Sequence, residues 1–345
     1  MSITPDLKAF EKMENMKNML GFSIIDIMKP NIKAKQNENV LKMLEVIKEK
    51  TDVCLELFSV AIFHQNFEIV KTIVDKFNIM ESETPYINAQ SFYNSILPEN
   101  SNLKLTDSKD SYSEINCPFT LMAGIGGSIE IFKYLLNAKL ISNVAVQGNI
   151  GLSKKNKNII TSNIVGACAY YGKSELLEYL LKNYRRDLDI NLNTTEKKSK
   201  KGRSTFNKEF TDYTPCLLAA AGQCSDEDTM KILKILENYK ADFDVRDTNQ
   251  ENIIHIATKA KKIKTVKFLV DSLELKNMIN ETNKDGMTPY SLAKQVNCEQ
   301  LISYFNKSNQ LDEKQIEQNL NELIEESNKI NARKNRNKKK VKKRK

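Results

Sequence analysis

Apolar residues recur along the chain in blocks of helical spacing. The clearest stripes are Leu176, Leu177, Leu180 and Leu181, and Val266, Phe268, Leu269 and Val270. Leu176 and Leu177 recur at Leu180 and Leu181, and Val266 at Leu269 and Val270, three to four positions on, the period of one helix face. A shorter block with small residues precedes each stripe, containing Ala169 in one case and Ala257 in the other. The pattern predicts pairs of helices, the first short and closely packed, the second amphipathic. Val40, Leu41, Leu44, Val46 and Ile47 predict further helix within residues 1–50, and Ile316, Leu320, Leu323, Ile324 and Ile330 predict another within 308–331. No apolar run approaches the ~18 residues that cross a bilayer. The N-terminus also lacks a basic stretch followed by an apolar one, so a soluble, non-secreted protein is expected.

The paired blocks are copies of one another. One copy reads Thr214-Pro215-Cys216-Leu217-Leu218-Ala219-Ala220, another Thr288-Pro289-Tyr290-Ser291-Leu292-Ala293-Lys294, and between them lies Asn252-Ile253-Ile254-His255-Ile256-Ala257-Thr258. A threonine hydroxyl can cap a helix, and proline suits the first helical position, where its missing N–H costs nothing. Small residues such as Ala219, Ala257 and Ala293 let neighbouring helices approach. Gly172 can take the left-handed conformation that ends the first helix and turns into the second. Asn283-Lys284-Asp285-Gly286 carries a strong turn signal in its Asp-Gly pair. Earlier copies are looser, around Pro118 to Leu136 and Leu57 to Phe77.

These segments resemble the ankyrin repeat, whose T-P-L-H-x-A signature recurs about every 33 residues. The stretch Lys240-Ala241-Asp242-Phe243-Asp244-Val245-Arg246-Asp247 is similar to the family's hairpin linker. Six units begin at Glu56, Cys117, Asn163, Thr214, Asn252 and Thr288, with spacings of 61, 46, 51, 38 and 36. The excess over the family period places insertions near 80–110, 143–160 and 192–210. The expected fold is all-α: an ankyrin-like helical repeat solenoid of five or six repeats with β-hairpin connectors, long insertions and a basic C-terminal tail. Residues 1–50 are expected to form a helical cap, 51–307 the repeats, 308–331 an amphipathic helix and 332–345 a disordered tail. The sequence departs from the family in lacking many of its glycines, as where Lys261 stands in the place of Gly172.

The resemblance implies a non-enzymatic scaffold or adaptor that binds another protein. By position in the repeat, the partner-binding residues would be Tyr170, Tyr171, Gln223, Arg246, Asp247, Asn249, Lys259 and Asp285, with tyrosine and arginine as anchors. His255 occupies the histidine of the signature and is expected to hydrogen-bond between connectors.

Charge adds one element. The chain has 53 Lys and Arg against 44 Asp and Glu, a net charge of +9. Ten of those cations and no acid lie in Arg333 to Lys345, so removing ten from 53 leaves 43 against 44 acids in the body. The body is therefore neutral, and the tail alone is basic. Lys338, Lys339, Lys340, Lys342, Lys343, Arg344 and Lys345 form a row of cations of the kind a nuclear-import receptor reads, or that a polyanion attracts. A smaller basic cluster, Lys197 to Lys208, supports an alternative reading as a nucleic-acid-associated nuclear protein. A nuclear or cytoplasmic location is expected.

Little else points to chemistry. The six cysteines contain no Cys-x-x-Cys pair and only His64 and His255 accompany them, so no zinc site, disulfide framework or cofactor is expected. Cys168 and Cys216 fall at small positions of first helices. Ala123-Gly124-Ile125-Gly126-Gly127-Ser128 joins helix to helix with no Lys-Ser or Lys-Thr after it, which reads as a tight turn and not a phosphate loop.

Overall fold

The structure is a computed structural model, and it describes residues 24–46, 52–79, 117–152, 159–192, 213–222, 224–273 and 275–308. Among these, helices come in seven consecutive pairs. They are α1 (Ile24–Lys33) with α2 (Asn37–Val46), α3 (Asp52–Phe63) with α4 (Phe67–Phe77), and α5 (Phe119–Gly126) with α6 (Ile129–Asn137). Then follow α7 (Ile164–Tyr170) with α8 (Ser174–Tyr184), α9 (Pro215–Ala221) with α10 (Asp226–Asn238), α11 (Ile253–Lys259) with α12 (Ile263–Asp271), and α13 (Pro289–Gln295) with α14 (residues 299–308). Each first helix packs on the next first helix in chain order, from α1 to α13, and the second helices from α2 to α12 do the same. Residues 24–46, expected only as a helical cap, thus form a seventh pair of the same build, with α1 against α3 and α2 against α4.

The first helices α5, α7, α9 and α11 are short, seven or eight residues, and almost wholly buried. All eight residues of α5 are buried. Gly126 lets α5 approach α3: a Cβ there would stand 2.4 Å from the Ile62 carbonyl oxygen. The second helices bury one stripe each, as in Leu176, Leu177, Leu180 and Leu181 of α8 or Thr265, Val266, Leu269 and Val270 of α12.

Caps fix where each pair starts. The Asn163, Asn252 and Thr288 side chains accept backbone N–H groups of the first turns of α7, α11 and α13. Thr214, expected to cap in the same way, makes no such bond, and its buried hydroxyl has no hydrogen-bond partner among the described residues.

The turn inside a pair repeats a left-handed residue. Lys35 and Gln65 (both φ 55), Gly127 (φ 84), Gly172 (φ 68), Lys261 (φ 55) and Asn297 (φ 52) occupy it. At Lys261 the closing bonds are Lys261 N–H to Thr258 O and Lys262 N–H to Ala257 O, both 3.0 Å. Gly172 and Lys173 repeat this pattern onto Ala169 and Cys168. Lys261 therefore reproduces the backbone of Gly172, and the missing glycine does not interrupt the stack.

The connectors differ from regular hairpins. Among the described residues only the one after α6 contains strands, β1 (Gly148–Leu152) antiparallel to β2 (Ile159–Ser162), with a register irregularity between Asn149 and Gly151. This lies in the insertion expected near 143–160. The connector after α10 has a single bridge, Arg246 to Asn252, and the one after α12 opens with a 3-10 turn, Lys276–Asn280. The insertions expected near 80–110 and 192–210 lie outside the described residues apart from Leu192, as do the helix expected over 308–331, apart from Ser308, and the tail.

Candidate functional site

Two successive connector tips are built alike. Asp247 Oδ1 accepts the N–H groups of Asn249 and Glu251, both at 2.8 Å. In the next connector Asn283 Oδ1 accepts those of Asp285 at 3.0 Å and Met287 at 2.9 Å. The tips are tied together by Lys284 N–H to Asn249 O at 2.9 Å and by Asn283 Nδ2 to Glu251 at 3.1 Å. Arg246 joins the set, one guanidinium nitrogen 2.9 Å from Asp244 and the other 2.7 Å from Glu281. Asn252, which caps α11, also donates to Met278 O and Glu281.

His255 sits under this network. It is fully buried, with Nε2 3.0 Å from the Met287 carbonyl and Nδ1 2.7 Å from Asn252 Oδ1. The expected bond between connectors is present. Burial pushes its pKa below the ordinary histidine value, against the opposing pull of the Met287 carbonyl, Glu251 and Glu281. The ring thus bridges the α11 cap to the connector after α12.

The residues expected at the partner surface divide. Asn249 and Asp285 are exposed at the tips, and Arg246 and Lys259 are half-exposed, each in an ion pair, Lys259 with Glu251. Tyr171 is half-buried and donates its hydroxyl to the Ile150 carbonyl of β1 at 2.7 Å. Two of the expected residues turn inward. Tyr170 is only 2% exposed, because it closes the end of α7 against the core, and Asp247 is only 2% exposed, because its carboxylate folds inward to make the turn. Gln223 lies outside the described residues.

The structure sets Lys259 and Lys261 beside residues that the sequence does not single out, such as Tyr213, Glu251 and Lys262. A cleft of about 760 Å³ opens along α11, lined at its connector end by Tyr213 and Glu251, in the middle by Ile256 and Lys259, and at the turn end by Lys261, Lys262 and Cys224. Burial pushes the Tyr213 phenol up, and the charges of Asp247 and Glu251 push the same way. Burial likewise raises Asp247 above the ordinary aspartate value, reinforced by Glu251 and opposed by its two N–H bonds. Lys262 is buried, its ammonium donating to the Ala219 carbonyl at 3.0 Å and to Thr229 Oγ1 at 2.6 Å. Glu251 and Lys259 stand eight positions apart across a helix cap, a separation no local pairing rule covers. The repeat period could have found Tyr213, since it and Glu251 both directly precede a cap residue.

The remaining candidates have structural roles. His64 packs edge-on against Phe63, ring centroids 4.9 Å apart. Gly127 closes α5 and Ser128 caps α6, so that glycine-rich run joins two helices. Cys168 and Cys216 are buried, and burial pushes both thiols well up. Among the described residues no cluster of three His, Cys, Asp or Glu side chains could hold a metal ion, and no helix is long and apolar enough to cross a membrane.

Stacked helix pairs, with a left-handed residue in the turn of six of the seven described and tied tips on two successive connectors, define a helical-repeat protein. Residues 216–315 match the family model for ankyrin repeats in three copies, and over this part the chain is similar to ankyrin-repeat proteins. The match runs from Cys216 in α9 through α14, where the tips and most of the cleft lining lie. A search of curated proteins finds no match. Ankyrin repeats generally mediate protein–protein interaction and are typically non-enzymatic.

Proposed function

We propose that the protein is a non-enzymatic scaffold or adaptor, an ankyrin-like solenoid that grips another protein along the connector side of its last repeats. The observation that carries this reading is the ankyrin match over residues 216–315, together with a connector network that presents exposed Asn249 and Asp285 beside half-exposed Arg246 and Lys259. Arg246 is the best anchor, since its guanidinium is already oriented by two carboxylates. The row Lys338 to Lys345 serves in this reading as an address for a nuclear-import receptor.

A second reading rests on the ten cations of residues 333–345. Here the tail and the Lys197–Lys208 stretch bind nucleic acid, and the stack carries a polybasic arm. Counterion release makes such binding fall steeply with salt.

A paired pull-down tests both. The full chain is compared with one ending at Ser308, with nuclease and at two salt concentrations. Capture of the same proteins by both supports the scaffold reading. Loss of capture with the tail, or with nuclease and salt, overturns it for the second. Relocation of the shortened chain from nucleus to cytoplasm supports the address, and an unchanged distribution contradicts it.

A further inference from the structure

Five of the six cysteines are buried, and Cys224, in the turn between α9 and α10, is not. It lines the cleft along α11, so a small molecule reaches its sulfur from there. The thiol is flanked on two sides. On one lies the turn of the preceding pair, where a Cβ at Gly172 would stand 2.5 Å from Cys224 Cβ and 3.2 Å from its sulfur. On the other is Lys262, the residue that starts α12, whose ammonium lies 3.8 Å from Cys224 Sγ.

Lys262 reaches this place from the next pair. It is only 5% exposed, and its ammonium donates to the Ala219 carbonyl of α9 at 3.0 Å and to Thr229 Oγ1 of α10 at 2.6 Å. Thr229 Oγ1 is in turn 3.3 Å from Cys224 Sγ. Nitrogen, oxygen and sulfur thus form a triangle across the boundary between the fifth and sixth pairs. The nitrogen is fixed by burial, and the sulfur beside it is open to the cleft.

A thiol oxidised to a sulfenic acid condenses with a nitrogen or thiol within reach. We propose that Cys224 and Lys262 are a peroxide-responsive pair that closes into a sulfenamide and covalently fastens the turn of the fifth pair to the sixth. In the first step the Cys224 sulfur, its proton gone to solvent, attacks hydrogen peroxide. The S–O bond forms and the O–O bond breaks, so sulfur is oxidised and peroxide reduced. The departing hydroxide takes a proton from the Lys262 ammonium and leaves as water. In the second step the Lys262 nitrogen, now neutral, attacks the sulfenyl sulfur. The N–S bond forms, the S–O bond breaks, and the second hydroxide takes a proton from that nitrogen and leaves as water. Relative to a thiol and a neutral amine, each group has lost one hydrogen. A thiol reductant attacks the sulfur and releases the amine, which makes the link reversible.

The unaltered full chain tests this directly. It would be treated with hydrogen peroxide, its free thiols blocked, and the product digested and read by mass spectrometry. The expected result is a linked pair of peptides, one with Cys224 and one with Lys262, lighter than their sum by two hydrogens and separated by a thiol reductant. Dimedone, which captures sulfenic acids, should suppress the link and label Cys224 instead. Lys262→Arg keeps the cation and should abolish the link, while Cys224 still takes the dimedone label. Three results overturn the proposal: Cys224 oxidised to sulfinic or sulfonic acid with Lys262 free, closure of Cys224 onto a backbone nitrogen, or a Cys224 that stays reduced while the peroxide oxidises methionines.

Discussion

Lys261 holds φ 55 in a turn where Gly172 holds φ 68. A side chain in that region costs roughly 1 kcal/mol relative to glycine, partly offset by glycine's larger entropy in the unfolded chain. Lys261→Gly is therefore expected to raise stability by about 0.5–1 kcal/mol, read as a higher urea midpoint at unchanged slope. His255 gives a second residue-scale test. Its folded pKa lies below the ordinary 6.5, so the unfolded chain takes up a proton first as pH falls. Its contribution is complete above about 6.5 and is lost as pH drops from there toward the folded value. Urea titrations from pH 8 to 5 should show that decline, and His255→Gln should remove it while costing about 1–2 kcal/mol at pH 8 through the lost bridge to Met287. At this scale the sequence shows the role of His255 through its place in the repeat. It does not show that Tyr170 and Asp247 turn inward, because a position in a repeat fixes backbone location and not where a side chain packs.

Among elements, the second helices carry a bracing that no signature contains. Tyr304 on α14 donates its hydroxyl to Asp271 on α12 at 2.7 Å, and Tyr134 on α6 does the same to Asp75 on α4 at 2.9 Å. Lysines of one helix lie over rings of the next, with Lys133 4.9 Å from Tyr179, Lys234 5.5 Å from Phe268 and Lys267 5.8 Å from Tyr304. Burial and the facing Asp75 push the Tyr134 phenol up to about 12. Tyr304→Phe and Asp271→Asn should each cost about 0.5–1.5 kcal/mol, and the double variant less than their sum, measured as a double-mutant cycle. Tyr304 and Asp271 are 33 positions apart, one repeat period, whereas Tyr134 and Asp75 are 59 apart because an insertion intervenes. The first pair could be anticipated from periodicity and the second could not. A different reason hides α1 and α2 as a repeat. Their stripe predicts helix, but no Thr-Pro or glycine marks the unit, and only packing on α3 and α4 reveals it.

Across the whole molecule, each pair touches chiefly the pairs before and after it, so stability should add up through neighbouring interfaces. Leu180→Ala in α8 should cost about 2–4 kcal/mol and speed hydrogen exchange on both sides of the fourth pair. Leu301→Ala in α14 should instead loosen only the last pair. The neutral body and the basic tail separate by composition alone, and that division frames the two functional readings. The central claim is that the connector side of the last repeats is where another protein is held. It is tested most directly by placing a photo-cross-linking residue, in source cells, at exposed Asn249 or Asp285, and as controls at exposed Glu178 on α8 or Lys231 on α10. The account predicts cross-links to the same foreign protein from both connector positions and none from the helix positions. Cross-links from Glu178 and Lys231 alone would contradict it.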